Sequence, residues 1–185
     1  MKIGIIICST RPGRVGESVA EWVMDQVKDR DDATFELVDL KSFDLPLLCE
    51  PTVPGSANRK YEVPQTREWS KAIDALDSFL WVTPEYNHGV PAAMKNAFDV
   101  LYPEWSHKAV GFVAYGADGG VRSVEQWRVI TANARLMAVR AQVSLSTFSD
   151  FTDGDFTPQE RRAKEFQNVV NQVLEIGQAL APLRA

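Results

Sequence analysis

KIGIIICSTRPGRVGES, residues 2–18, is the stretch whose reading decides the fold. An unbroken apolar run from Ile3 to Cys8 stops at Ser9-Thr10-Arg11-Pro12-Gly13-Arg14, and a helical pattern begins near Gly16. A run without polar alternation marks a strand buried on both faces, as in the middle of a parallel sheet. The passage therefore reads as strand, tight polar loop and helix start. The first amides of a helix have no intrahelical acceptor. With the hydroxyls of Ser9 and Thr10, the guanidinium groups of Arg11 and Arg14 and the amides near Val15 and Gly16, this junction favours an anion, most simply a phosphate.

Two nucleotide motifs are excluded here. A P-loop needs Gly-Lys-Ser/Thr, and Gly16 is followed by Glu17-Ser18. The dinucleotide fingerprint needs G-x-G-x-x-G, and Gly13-x-x-Gly16 does not supply it. A compact phosphate cup remains, beside the plainer reading of a solvated loop with a capping serine.

Further along the chain, strands and helices alternate. Val19, Ala20, Val23, Met24 and Val27 recur at helical spacing with Glu21, Asp25 and Lys28 between them. Thr34 to Leu40 is a second strand, and the proline-rich stretch from Lys41 to about Pro64 is an irregular connection. A helix over Gln65–Asp77 carries Trp69, Ala72, Ile73 and Leu76. The third strand, Ser78–Thr83, ends in Pro84-Glu85-Tyr86-Asn87-His88-Gly89, and a helix over Ala92–Leu101 follows with Pro91 at its first turn. Ala109–Tyr115 is a fourth strand. After Gly116-Ala117-Asp118-Gly119-Gly120 come a helix marked by Val124, Trp127, Ile130, Ala134 and Met137 and a short fifth strand, Gln142–Phe148. Thr157-Pro158-Gln159-Glu160 reads as a capping box that opens the last helix.

Five strands alternating with five helices imply right-handed crossovers and a parallel sheet covered on both faces. The expected fold is one flavodoxin-like doubly wound domain over residues 1–185, α/β, strand order 2-1-3-4-5. In that order strands 1, 3 and 4 are neighbours, so the three unusual loops meet at the carboxyl edge of the sheet. The second loop offers a fixed backbone, because Pro84 and Pro91 restrict its ends while Asn87 and Gly89 tolerate left-handed turns. Such a backbone can pair with the polar edge of a flat heterocycle, and Tyr86 can pack on it. The third loop's glycines let the chain lie against a planar ring. Read singly, either loop is equally a turn without a ligand.

Composition narrows the alternatives. The 185 residues suffice for one sizeable core. A net charge of −5 argues against nucleic acid or an anionic membrane as partner. Cys8 and Cys49 do not make a disulfide framework, and with no secretory or membrane-spanning stretch the expected compartment is the cytoplasm. His88 and His107 lack metal-site spacing, so no metal is expected. Ser9 lacks a nucleophile-elbow pattern, which argues against a hydrolase. Trp22, Trp69, Trp81, Trp105 and Trp127 read as core or interface.

The runs CSTRPGRVGESVAEWV (8–23) and TPEYNHGVPAAMKNAFDVLY (83–102) resemble the NAD(P)H-dependent FMN reductase family, which includes quinone, azo-dye and chromate reductases. The resemblance implies FMN as cofactor and NADPH or NADH as co-substrate. Ser9, Arg11, Arg14, Val15 and Gly16 would hold the FMN phosphate, with Thr10 in the same loop. Pro84, Glu85, Tyr86 and Asn87 would contact the isoalloxazine mainly through backbone, and Tyr115, Gly116, Gly119 and Gly120 would line its other edge. No side-chain acid, base or nucleophile is implied, because the cofactor carries the chemistry. The implied cycle is ping-pong, from a nicotinamide nucleotide to a small planar acceptor, in a homodimer or homotetramer. Position 8, often glycine in the family, is Cys8 here. A flavodoxin-type electron carrier and a non-enzymatic binding protein on the same fold are the alternatives.

Overall fold

A computed structural model describes residues 1–184. Five parallel strands, β1 (Lys2–Ile7), β2 (Thr34–Asp39), β3 (Ser78–Pro84), β4 (Ala109–Gly116) and β5 (Met137–Ser146), form one sheet in the order β2-β1-β3-β4-β5. This is the flavodoxin-like order that the alternation predicts. The central strands are buried along almost their whole length, which is why they read as continuous apolar runs.

The helices are α1 (Gly16–Val27), α2 (Pro54–Ala57), α3 (Pro64–Asp74), α4 (Ala92–Asp99), α5 (Val121–Asn133) and α6 (Arg161–Leu180). They cover both faces. Val19, Val23 and Val27 of α1 pack with Phe166, Val170 and Val173 of α6 over Ile3, Ile5, Leu80 and Val113. The opposite face buries Trp69, Met94, Phe98, Val124 and Trp127 against Ile6, Phe79, Trp81 and Phe112. Aromatic rings dominate that second core. Trp81 meets Trp127 edge-to-face at 4.9 Å and Trp105 at 5.8 Å, a geometry the ring quadrupoles favour. The Trp127 indole N–H donates to Thr83 Oγ1 at 3.2 Å, fastening α5 to the end of β3. Four of the five tryptophans are fully buried; Trp22 is half-buried, edge-on to Phe156.

Several boundaries depart from the sequence reading. Met137 does not extend the fourth long helix. That helix, α5, ends at Asn133, a turn with Arg135 at φ 56° reverses the chain, and Met137 pairs with Ala109 as the first residue of β5. The fifth strand is therefore ten residues long and ends at Ser146. Thr157 is not a helix cap. Its hydroxyl bonds Thr152 Oγ1 at 2.8 Å, the Gln159 amide goes to Asp150, and α6 starts at Arg161. Ahead of it, β6 (Phe151–Thr152) and β7 (Asp155–Phe156) form a small hairpin across Asp153-Gly154, which the strand count omits. Pro91 lies one residue outside α4, extended at ψ 127°.

The connection from Lys41 to Val63 is anchored by side chains. Asn96 of α4 donates to the Pro46 carbonyl and accepts the Leu48 amide, both at 2.9 Å. Glu50 accepts the amides of Glu62 and Val63.

Candidate functional site

The carboxyl ends of β1, β3 and β4 lie side by side, in register at Ile7–Val82 and Pro84–Tyr115. The loops after them meet. Ser9 Oγ and the Tyr86 hydroxyl are 2.8 Å apart, and the Glu85 amide donates to the Tyr115 carbonyl at 2.9 Å.

The first loop stands on the N-terminus of α1. Val15 occupies the cap position, and no side chain caps the helix. The only hydroxyl in the first turn, Ser18, points back to the Val15 carbonyl at 2.9 Å. The first amides of α1 are thus left open to a ligand, at the positive end of a three-turn helix. Arg11 is exposed, and its guanidinium donates to the Pro12 and Gly13 carbonyls at 3.2 and 3.1 Å.

Arg14 is held by partners within the protein. Its side chain is only 3% exposed. The guanidinium donates to both oxygens of Asp39 at 2.8 and 2.6 Å, to Glu17 at 3.0 and 2.6 Å and to the Ser9 carbonyl. Two carboxylates already satisfy the cation, so the residue ties the loop to the end of β2. Hydrogen bonding to Asp39 raises the Arg14 pKa despite burial. Burial alone would raise the Asp39 carboxyl, but the bonds from Arg14 and the Lys41 amide outweigh it and hold it below its ordinary value.

In the second loop, Tyr86 and Gly89 exchange both backbone hydrogen bonds, 3.1 and 2.9 Å, around Asn87 and His88. Asn87 at φ 50° and His88 at φ 63° make a two-residue hairpin turn of the type that matches strand twist. His88 therefore takes the left-handed place expected of Gly89. Gln126 donates to the His88 carbonyl at 2.6 Å and holds the turn against α5. The Glu85 side chain is 8% exposed and clasps Arg122. One oxygen accepts the Arg122 backbone N–H at 3.0 Å, the other its guanidinium at 2.7 Å. A helix with only Gly120 at its cap position is thus capped from the neighbouring loop.

The third loop's glycines face the protein's own sheet. Gly120, at φ 71°, lies where a Cβ would stand 2.8 Å from both Ala114 Cβ and the Tyr115 nitrogen. Gly119 is buried against Ser144 in the same way, while Gly116 is part-exposed beside Glu85. Tyr115 points beneath the start of α1 and is 5% exposed. Its hydroxyl has no partner among the described residues. Beside it, Cys8 is fully buried, and burial pushes its thiol pKa well up, which makes it inert packing.

Beyond Thr10, a cleft of about 470 Å³ opens between the first loop, the Leu40–Leu47 segment and α4. Leu40, Leu45, Leu47 and Ala93 give it an apolar wall, and Lys41 and Asn96 supply polar groups.

Asp39, Arg122 and Gln126 support the loops without having been singled out in the sequence. Each lies in a regular element and acts on a loop 25 to 38 residues away. No local pattern announces such pairs.

An uncapped helix N-terminus at the sheet edge where strand order reverses defines a doubly wound α/β protein with its loops gathered at the place where such folds bind ligands. Residues 1–150 match the NADPH-dependent FMN reductase family, and the chain belongs to it. It is 39% identical over 129 residues to an NAD(P)H-dependent FMN reductase of a Nectria species, covering 68% of this chain and 64% of the relative. An NAD(P)H-dependent FMN reductase of Saccharomyces cerevisiae is 34% identical over 148 residues, 75% of this chain and 78% of that one. The flavoenzyme NAD(P)H:(acceptor) oxidoreductase FerB of Paracoccus denitrificans superposes with a TM-score of 0.72 at 18% identity, covering 96% and 97% of the two chains, and so shares the fold. This chain spans less than two thirds of the length of the Nectria relative.

Proposed function

We propose that this chain is an NAD(P)H-dependent FMN oxidoreductase that passes electrons from NADPH or NADH to a small planar acceptor such as a quinone, an azo compound or free flavin. The observation that carries the reading is the uncapped N-terminus of α1, preceded by a loop that carries exposed Arg11 and meets the second loop through Ser9 and Tyr86. The donor set fits a mononucleotide: a phosphate needs convergent N–H groups and a cation, and a flat heterocycle needs a fixed backbone edge.

When bound, FMN supplies the hydride-accepting and electron-donating chemistry. The chain's residues bind and orient. Ser9, Thr10, Arg11 and the amides of Val15 and Gly16 hold the phosphate, and Arg14 braces their loop from behind. Pro84 to Asn87 present the ring-facing backbone, fixed by the Glu85–Arg122 clasp and the Gln126 bond. Tyr86 packs at the ring's border, with Gly116, Gly119 and Gly120 shaping the adjoining turn. The cleft beyond Thr10 receives nucleotide or acceptor, its apolar wall suited to a flat molecule.

Leu47, exposed at the wall of that cleft, and exposed Val53 in the same connection support an interface between copies, as homodimer or homotetramer. The unpaired Cys8 and Cys49 support a reducing compartment, the cytoplasm. Among the described residues no helix is long and apolar enough to cross a membrane.

The test is anaerobic addition of NADPH to FMN-loaded protein, followed by a quinone. The flavin colour is expected to bleach and then return, over many cycles. Uptake of FMN without bleaching would point to an electron carrier, and failure to take up FMN to a binding protein of another kind. Arg11→Ala is expected to weaken FMN binding about 10- to 100-fold, the size of one charge-assisted phosphate contact, with turnover at saturating FMN little changed. Equilibrium titration of flavin fluorescence measures the first effect and steady-state kinetics the second.

A further inference from the structure

Tyr115, expected at the ring edge, lies instead beneath the first turn of α1. Its side chain runs from β4 into the core formed by α1 and α6. Its hydroxyl ends under the first residue of α1, where a methyl group placed on Gly16 would lie 2.8 Å from the oxygen. The hydroxyl is buried with no hydrogen-bond partner among the described residues, as are Trp81 Nε1 and Ser123 Oγ, and of the three it is the one placed against the first residue of α1. A buried donor without an acceptor is costly, and native proteins leave few of them unexplained. Burial, and then the neighbouring Tyr86 hydroxyl, raise the Tyr115 pKa, so the group stays protonated and can donate.

We infer that the Tyr115 hydroxyl is the floor of the anion cup, donating a hydrogen bond to the phosphate that the α1 amides and Arg11 hold from above. The inference rests on the proposed FMN reading and moves Tyr115 from the ring to the phosphate. It also gives Gly16 a specific task, since any Cβ there would press on the hydroxyl. Two independent features converge on one point: an uncapped twelve-residue helix and an orphaned donor beneath its first turn.

The test compares FMN with riboflavin, which has the same ring and no phosphate, in wild type and Tyr115→Phe. The expected result is a loss of about 10- to 100-fold in FMN affinity with riboflavin affinity unchanged, as befits a bond to a charged group. The ligand-free variant should melt no lower than wild type, because the substitution removes an unsatisfied polar atom without changing shape. Gly16→Ala supplies the second arm. Its cost to FMN binding should shrink in the Tyr115→Phe background, where the nearest ring carbon would be 3.6 Å from the new methyl.

Unchanged FMN affinity in Tyr115→Phe would overturn the inference, and so would equal losses for FMN and riboflavin, which would return the residue to the ring. If wild type itself bound riboflavin as tightly as FMN, the phosphate reading would fail, and the inference with it.

Discussion

Asp150→Ala is expected to lower the unfolding free energy by about 3–5 kcal/mol, the cost of removing one partner of a buried ion pair. Asp150 has no exposed surface. It accepts from Arg162 at 3.0 and 2.9 Å, from the Ser146 amide at 3.0 Å and from the Gln159 amide at 3.1 Å. The truncation would leave the nearly buried Arg162 with only Glu165 as an anionic partner and two backbone donors unpaired. Urea unfolding followed by tryptophan fluorescence measures the loss. The double variant Asp150→Ala, Arg162→Met should recover part of it, because no charge is then stranded. Burial alone would raise the Asp150 carboxyl, but the bonds from Arg162, Gln159 and Ser146 outweigh it and hold the pKa below the ordinary value. The sign follows: this stabilisation is fully present above the unfolded carboxylate pKa of about 3.9 and is lost as pH falls through the lower folded value. A wild-type stability profile should therefore steepen in acid, and the Asp150→Ala profile should be flatter there.

The joint also bears on the site. Just before Asp150, the Thr147 amide donates to the Gly116 carbonyl at 3.0 Å and the Ser146 hydroxyl to Ala117 at 2.8 Å. Asp150 thus fixes the strand end that supports the third loop.

Glu85→Ala is expected to cost about 2 kcal/mol of stability and about tenfold in FMN affinity, combining a lost helix cap with a lost charge-assisted bond. The stability term is smaller than at Asp150 because Arg122 is 38% exposed and can turn to water or to Asp118. The affinity term arises because the clasp joins the second loop to the helix that ends the third. Glu85→Gln retains an acceptor for the Arg122 amide and should fall between wild type and alanine. Chemical unfolding and FMN titration of both variants provide the check. A stability loss without any change in FMN binding would confine Glu85 to the fold.

The sheet was legible because its central strands are buried on both faces and carry no competing periodicity. The misread boundaries have local causes. Val124, Trp127, Ile130 and Ala134 set a helical period that Met137 continues by coincidence, and the turn between them uses Arg135 rather than glycine. Thr157-Pro158-Gln159-Glu160 has the letters of a capping box, but tertiary bonds to Thr152 and Asp150 claim the groups that would cap. Asp153-Gly154 between Phe151 and Phe156 carries a hairpin signal that would have revealed β6 and β7. At the site, the three loops announced themselves by composition. The roles inside them depend on partners distant in the chain: Asp39 for Arg14, Arg122 for Glu85 and Gly16 for Tyr115. A sequence shows that Arg14 is cationic; only the fold shows that two carboxylates already hold it.

A crystal structure of the protein grown with FMN tests the central claim most directly. The phosphate is expected at the N-terminus of α1, within hydrogen-bonding distance of Ser9, Arg11 and the first helix amides, with the ring against Pro84 to Asn87. Density for the phosphate anywhere else, or the ring seated away from the second loop, would contradict it.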